Sequence, residues 1–188
     1  MRIIGGNLRG LKLADVGAGD AAAHLRPTTD RVRESIFNLL VNGTHGNPIP
    51  GARVLDLFAG TGALGLEALS RGAARVAFVG DGVAARALLR QNIDKARAMG
   101  VTDVWRRDAT RLGENRGPAF DLVFLDPPYG KGLGEQALSS ALAGGWIAPG
   151  AMIVWEEAAP PPAVEGLERI DQRKYGDTTV TLLRPSQP

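Results

Sequence analysis

The chain has 188 residues, 44% hydrophobic and 22% charged, which suits one globular domain with little left over for a second. Cysteine is absent and histidine occurs twice, so a disulfide framework, a thiolate metal site and a cysteine nucleophile are excluded and no metal is expected. The net charge of +2 does not by itself suggest nucleic acid; no apolar run reaches the ~18 residues of a membrane span, the opening "MRIIGGNLRG" lacks the apolar core of a secretion signal, and a cytoplasmic protein is expected.

In chain order, "MRIIGGNLRGLKL" reads as two short β-like runs around a Gly-Asn turn, a predicted hairpin. "ADVGAGDAAAH" has no periodicity and predicts a mobile loop. A helix follows from Thr28, with Pro27 and Thr28 as start signals and Val32, Ile36, Leu39 and Leu40 on one face. Strand "RVLDLF" then precedes helix "ALGLEALSRG", and strand "RVAFV" precedes a helix predicted over 83–99 and ended by Gly100. Strands "VTDVWR" and "FDLVFL", a helix near 134–143 and strand "AMIVWE" come next. After the Pro-rich "AAPPPA", residues 167–184 read as a closing antiparallel hairpin. Alternating strands and helices predict right-handed βαβ units, hence an α/β fold with a mostly parallel sheet of seven strands. Trp105 and Trp155 are assigned to its core.

Ligands of such sheets bind beyond the carboxyl ends of the strands. Those ends here carry Asp56 with "FAGTGALG", then Gly80 and Asp81, then Asp108, then Asp126-Pro127-Pro128-Tyr129. One or two acids would be ordinary helix caps; four at successive strand ends point to a site. Gly60, Gly62 and Gly65 spell G-x-G-x-x-G, so a nicotinamide fingerprint has to be weighed. Three features favour S-adenosylmethionine instead. Asp56 would repel a pyrophosphate but can hold the ammonium of a methionine moiety, Phe58-Ala59 stands where dinucleotide loops begin their glycines, and the chain is short for a separate substrate domain.

"DLVFLDPPYGKG" ends an apolar strand in an acid and two prolines. Pro127 and Pro128 have no N–H and a fixed φ, so the turn is rigid and presents acceptors only. It can simply break the strand. Beside a methyl donor it has another use, because the exocyclic amine of a nucleobase is a poor nucleophile whose lone pair is delocalised into the ring. If the Asp126 carboxylate and the Pro127 carbonyl accept its two N–H bonds, that lone pair is turned toward the methyl group. Tyr129 can stack on the base, a contact worth ~1–3 kcal/mol, and positioning alone can lower the barrier by up to ~7–11 kcal/mol.

"VLDLFAGTGALGLEALSRGA", "DLVFLDPPYGKG", "RPTTDRVRESIFNLL", "MRIIGGNLRG" and "KYGDTTVTLLR" together resemble the RsmD family of methyltransferases that modify guanine N2 in 16S ribosomal RNA. The resemblance runs from Met1 to about Arg184. It implies a Rossmann-like, S-adenosylmethionine-dependent methyltransferase fold in one domain, 1–188, with residues 1–25 an extension and 26–188 the catalytic core. It also implies that Arg26, Thr28 and Arg33 lie at the methionine end of the cofactor, Thr28 being equally readable as a helix cap. Asp56, Phe58, Gly60, Gly62 and Asp126 would line the same cofactor. Asp108, with Ala109 beside it, would read the adenine amine or cap a short helix at "DATRLG". Catalysis would fall to Asp126, Pro127 and Tyr129, and phosphate contacts to Arg2, Arg9 and Lys12. The substrate base must leave any stack or pair, within the small subunit or an assembly intermediate of it.

One position departs from the family pattern. The acid that binds the ribose hydroxyls at the end of the second strand is Gly80 here, followed by Asp81. Asp81 either replaces it or caps the next helix. A DNA or protein amino-methyltransferase would share the Asp-Pro-Pro-Tyr turn, and a non-catalytic RNA-binding assembly factor would share the basic extension.

Overall fold

A computed structural model of the protein describes residues 1–15 and 29–187. Arg26, Pro27, Thr28 and most of the predicted loop before them lie outside the described residues. Helix α1 (Asp30–Asn42) begins two residues later than expected, with Thr29 rather than Thr28 as its cap: its Oγ1 accepts from Val32 N–H at 3.1 Å. There follow β1 (Arg53–Leu57), α2 (Ala63–Ser70), β2 (Arg75–Gly80), α3 (Val83–Lys95), β3 (Thr102–Arg106), β4 (Phe120–Leu125), α4 (Leu133–Ala143), β5 (Ile147–Glu157), β6 (Leu167–Tyr175) and β7 (Thr178–Pro185).

The seven strands form one sheet in the order β3-β2-β1-β4-β5-β7-β6. β1 to β5 run parallel, and β7 pairs antiparallel with both β5 and β6. The strand order reverses between β1 and β4, the place where doubly wound sheets have their ligand cleft, at the carboxyl edge.

Alternate residues along the central strands feed two cores. Val54, Val76, Phe78 and Phe124 pack against α1, α2 and α3, while Leu55, Leu57, Val79, Val123 and Trp155 face α4. That burial on both faces is why the strands read as continuous apolar runs. The two covers differ in kind. On the α4 side the connection from β3 to β4 contains no helix, and a stack of rings and guanidinium groups covers the sheet there. Trp105 meets Trp146 edge-on at 5.0 Å, Phe120 lies parallel to Trp146 at 6.1 Å, and Arg107 sits over both tryptophans at 5.1 and 5.8 Å. Trp155 is wholly buried as expected, but Trp105 is only half-buried, because no helix lies above it.

Three further expectations change in detail. The amino-terminal hairpin is held by a single antiparallel bridge, Arg2 to Lys12, with Ile3 N–H donating to Leu11 at 2.9 Å and Gly10 N–H to Ile3 at 2.8 Å. Its turn occupies most of the segment, so the flanking runs are too short for strands. Helix α3 stops at Lys95, four residues early, because Arg97 takes φ 53 and a 3-10 turn over Met99–Val101 carries the chain into β3. Strand β5 starts at Ile147, before the predicted "AMIVWE", and a register shift against β4 between Phe120 and Leu122 accommodates the extra residues. Among the described residues no helix is long and apolar enough to cross a membrane.

Candidate active site

The floor of the cleft is the loop between β1 and α2. Phe58 leaves β1 with φ 56, and Gly60 and Gly62 follow at φ 57 and 84. A bulky side chain in this left-handed region costs ~1–3 kcal/mol and persists only where its surroundings enforce it. They do so here: Ala59 N–H donates to Val79 at 3.0 Å and Gly62 N–H to Ala59 at 2.8 Å. Gly65 serves packing instead, since a Cβ there would stand 2.5 Å from the Phe78 ring and 2.8 Å from Val76. Asn92 of α3, wholly buried, donates to the Thr61 carbonyl at 2.9 Å and exchanges hydrogen bonds with both backbone groups of Ala14. The chain's first residues and the glycine loop thus share one amide. Nothing in the sequence singled out Asn92, which reads as one more polar position of an amphipathic helix.

Asp56 and Asp126 end adjacent parallel strands, β1 and β4. Asp56 is 2% exposed and accepts one hydrogen bond, from Gly65 N–H at 3.1 Å. Burial drives its carboxyl well above the usual range; the Gly65 contact opposes this and the negative charge of Asp126 adds to it. Asp126 is half-buried, Pro127 buried, and Pro128 and Tyr129 half-buried at the rim. A third acid, unforeseen in the sequence, stands behind them. Glu157 at the end of β5 accepts from Gly130 N–H at 3.2 Å and from the Trp155 indole at 3.3 Å. Burial raises its pKa, and the charges of Glu135 and Asp126 push the same way against those two hydrogen bonds. The strand-end rule that found Asp56 and Asp126 would have found Glu157 too had the strand been read one residue longer.

The remaining predicted residues sit as follows. Asp81 is exposed, and the cap of α3 is Gly82, with no side-chain hydrogen bond; the helix-cap reading of Asp81 is therefore wrong. Asp108 caps no helix either. It closes a turn, its Oδ1 accepting from the Thr110 hydroxyl at 2.7 Å and Thr110 N–H at 2.9 Å. The hydroxyl contact first, then the backbone one, holds Asp108 below the usual carboxylate range. Ala109 is buried beside it. Arg33, expected near the methionine end, is wholly buried and bonded to Glu67, Asp30 and the Arg2 carbonyl. Arg2, Arg9 and Lys12 are exposed on the amino-terminal hairpin. Among the described residues no group of three or more His, Asp or Glu side chains is placed to hold a metal ion.

The arrangement can thus hold a cation on a poorly partnered buried acid, and an amine on the acceptor-only turn beside it. The chain is also similar to known proteins. The family described as conserved hypothetical protein 95 matches residues 1–184. The Escherichia coli K12 ribosomal RNA small subunit methyltransferase D is 41% identical over 156 residues, covering 83% of this chain and 74% of that protein. Its Haemophilus influenzae counterpart is 36% identical over 168 residues, covering 87% and 82%. The solved structure of the Escherichia coli protein yhhF superimposes with a TM-score of 0.82 at 35% identity, covering 100% of this chain and 99% of that one.

Proposed function

The chain belongs to the RsmD family, and from that premise we propose that it transfers a methyl group from S-adenosylmethionine to the exocyclic N2 of a guanine in 16S ribosomal RNA. The observation that carries the proposal is the juxtaposition of Asp56 and Asp126 at the ends of adjacent strands, with the acceptor-only Pro127-Pro128 turn following directly. Residues 26–188 form the catalytic unit and 1–25 an RNA-binding arm, all within one domain that acts in the cytoplasm.

The bound cofactor supplies an electrophilic methyl on a sulfonium. The protein's part is to hold and aim. Asp56 takes the ammonium of the methionine end, and a cation placed on it favours its ionised form, reversing the effect of burial. Gly60 and Gly62 let the backbone approach without side chains, and Phe58 and Ala109 give the adenosine apolar contact. Asp108 accepts from the adenine amine. Arg26 and Thr28 are proposed to close over the methionine end.

On the other side, Asp126 and the Pro127 carbonyl accept the two N–H bonds of the guanine amine, which localises its lone pair and points it at the methyl group. The prolines cannot swing away to satisfy an N–H of their own. Tyr129 stacks on the base. Once the methyl is transferred, the nitrogen carries one proton in excess, which passes to the Asp126 carboxylate. Arg2, Arg9 and Lys12 contact phosphates, so affinity for RNA falls with salt.

The test is incubation with methyl-labelled cofactor and small subunits lacking the modification, free 16S RNA, DNA and protein in parallel, followed by nucleoside analysis. Label recovered as N2-methylguanosine from RNA or subunits supports the proposal. Label in DNA or protein, or tight RNA binding with no label at all, overturns it.

A further inference from the structure

Between β3 and β4 the chain crosses the α4 face of the sheet without a helix. The area left open there is a cavity of about 500 Å³, bounded among others by Trp105, Trp146, Phe120, Arg53, Arg107 and Arg116. That is within the ~300–1,000 Å³ of ordinary ligand clefts. Trp146 and Phe120 are buried beneath it and Trp105 is half-buried. Arg107 is exposed yet held in place: it lies over the two indoles at 5.1 and 5.8 Å, and its Nη1 donates to the Leu112 carbonyl at 2.9 Å. Little side-chain freedom therefore remains to be lost when a ligand lands on its guanidinium plane. Arg53 lies over the Phe120 ring at 5.2 Å.

The charge here is one-sided. Residues 106–118 hold Arg106, Arg107, Arg111 and Arg116 against Asp108 and Glu114, an excess of two that equals the net charge of the whole chain. Among the described residues, none of Arg53, Arg107 and Arg116 forms an ion pair. Of the two acids at the cavity, Asp103 is taken by Arg75 at 3.3 Å, and Glu114 is exposed at the rim. Arg106 ends β3 in register with Gly80, at the carboxyl edge that also carries Asp126, whereas Arg53 opens β1 and Phe120 opens β4 at the other edge. The arginines are thus strung across this face of the sheet. The amino-terminal hairpin lies on the opposite face, where Ile3 and Leu13 join the core under α1, α2 and α3.

We propose that this cavity is a second RNA site, which holds one unpaired nucleotide of the substrate RNA away from the methylation cleft. Its base stacks on the Arg107 guanidinium and the Trp105 indole, and Arg53 and Arg116 meet the phosphates on either side of it. Splayed bases of single-stranded RNA stack on aromatic rings and on guanidinium planes alike, and a restrained guanidinium laid over indoles offers both. Rings and unpaired cations together suit a nucleotide, flat at one end and anionic at the other; an acidic peptide would engage the cations and leave the rings unused. This rests on the ribosomal RNA reading above and adds to it a contact on the face opposite the hairpin.

The test measures binding of free 16S RNA and of a short single-stranded oligoribonucleotide over a range of salt, for the wild type, Arg53→Gln, Arg107→Gln, Arg116→Gln and the double variant Arg53→Gln/Arg116→Gln. Melting curves establish that each variant is folded, and affinity for S-adenosylhomocysteine should stay at the wild-type value throughout. The slope of log affinity against log salt should become shallower by about 0.7 for Arg53→Gln and for Arg116→Gln, and by about 1.4 for the double variant. Arg107→Gln should weaken binding about tenfold, the worth of a stacked base; should it not fold, Arg116→Gln at the exposed rim carries the test. Photocrosslinking with 4-thiouridine-containing RNA should mark Trp105 or residues 106–117 in addition to the cleft. An unchanged slope in the double variant, or crosslinks confined to the cleft and the hairpin, overturns the second site and leaves the methyl-transfer reading standing. Displacement of the RNA by polyglutamate, with the same sensitivity to the three substitutions, would make the cavity a dock for acidic protein and overturns the proposal as well. If the wild type binds neither RNA, the RNA reading itself fails and the second site with it.

Discussion

Two wholly buried carboxylates flank the start of α2, and their surroundings could hardly differ more. Glu67 is 0% exposed and has four donors: Ile4 N–H at 2.9 Å and Arg33 Nε at 3.3 Å on one oxygen, Gly5 N–H and Arg71 Nε at 2.9 Å each on the other. It binds the amino-terminal hairpin, α1 and α2 to one another. Asp56, 2% exposed, has one backbone donor and a like charge for a neighbour. The protein satisfies the first acid by itself; the second is left with a single donor. Burial of a charge is thus no guide to its role until its partners are counted.

The comparison breaks most sharply at Glu67. Glu67→Ala leaves two arginines, one of them wholly buried, and two backbone N–H groups without an acceptor, and should cost about 3–5 kcal/mol, read as a shifted midpoint in urea unfolding. A loss under ~1 kcal/mol, the range of an exposed pair, would mean the hairpin is not held there. At the functional end, Asp126→Ala should slow methyl transfer on the order of 10²–10³-fold, as loss of one aligned polar contact does, while S-adenosylhomocysteine still binds in calorimetry. Turnover close to the wild type would remove Asp126 from the chemistry.

Asp56→Asn sharpens the contrast, because function and stability should part. Affinity for S-adenosylhomocysteine should drop by about tenfold or more, yet the ligand-free variant should be no less stable than the wild type at pH 7. The raised pKa of Asp56 means that the folded protein binds a proton more readily than the unfolded chain. Its contribution is therefore favourable at low pH and is lost as pH rises from about 4 through the folded value. Asparagine removes that dependence, so the stability difference between the two proteins should shrink toward pH 4. A variant clearly less stable at pH 7 would make Asp56 a structural acid like Glu67.

The smallest effect belongs to a third acid, Asp171 on β6. It bonds Arg173 and His45 at 3.1 and 2.9 Å and is held at about 2, chiefly by Arg173. Because its folded pKa is depressed, its stabilisation is complete above the unfolded value of about 3.9 and disappears as pH falls through about 2. Asp171→Asn should cost under ~1 kcal/mol at pH 7, and the two unfolding curves should converge near the acid end of that window.

Much of the fold was legible because the central strands are buried on both faces, so "RVLDLF" and "FDLVFL" stand out as unbroken apolar runs that turns interrupt. The acids at their ends were legible for the same reason, position following from strand register. What escaped was set by contacts between distant segments. Thr28 and Thr29 are equivalent in composition, and only the folded backbone chooses Thr29 as the cap. Arg33 sits in a segment rich in candidate ligands, yet its burial against Glu67 depends on a residue 34 positions away. Asn92 lies on a helix whose pattern gives no hint that it ties down the glycine loop.

The sheet also ends differently from how it is filled. Its outermost strands, β3 and β6, carry Asp103, Arg106, Glu168, Arg169, Arg173 and Lys174 in place of the apolar runs of the middle. A neighbouring molecule that tried to extend the ladder at either border would have to strip water from these charges and match their signs. Self-association strand against strand is thereby discouraged, and a protein built around seven hydrogen-bonded ribbons keeps its two raw margins from becoming templates.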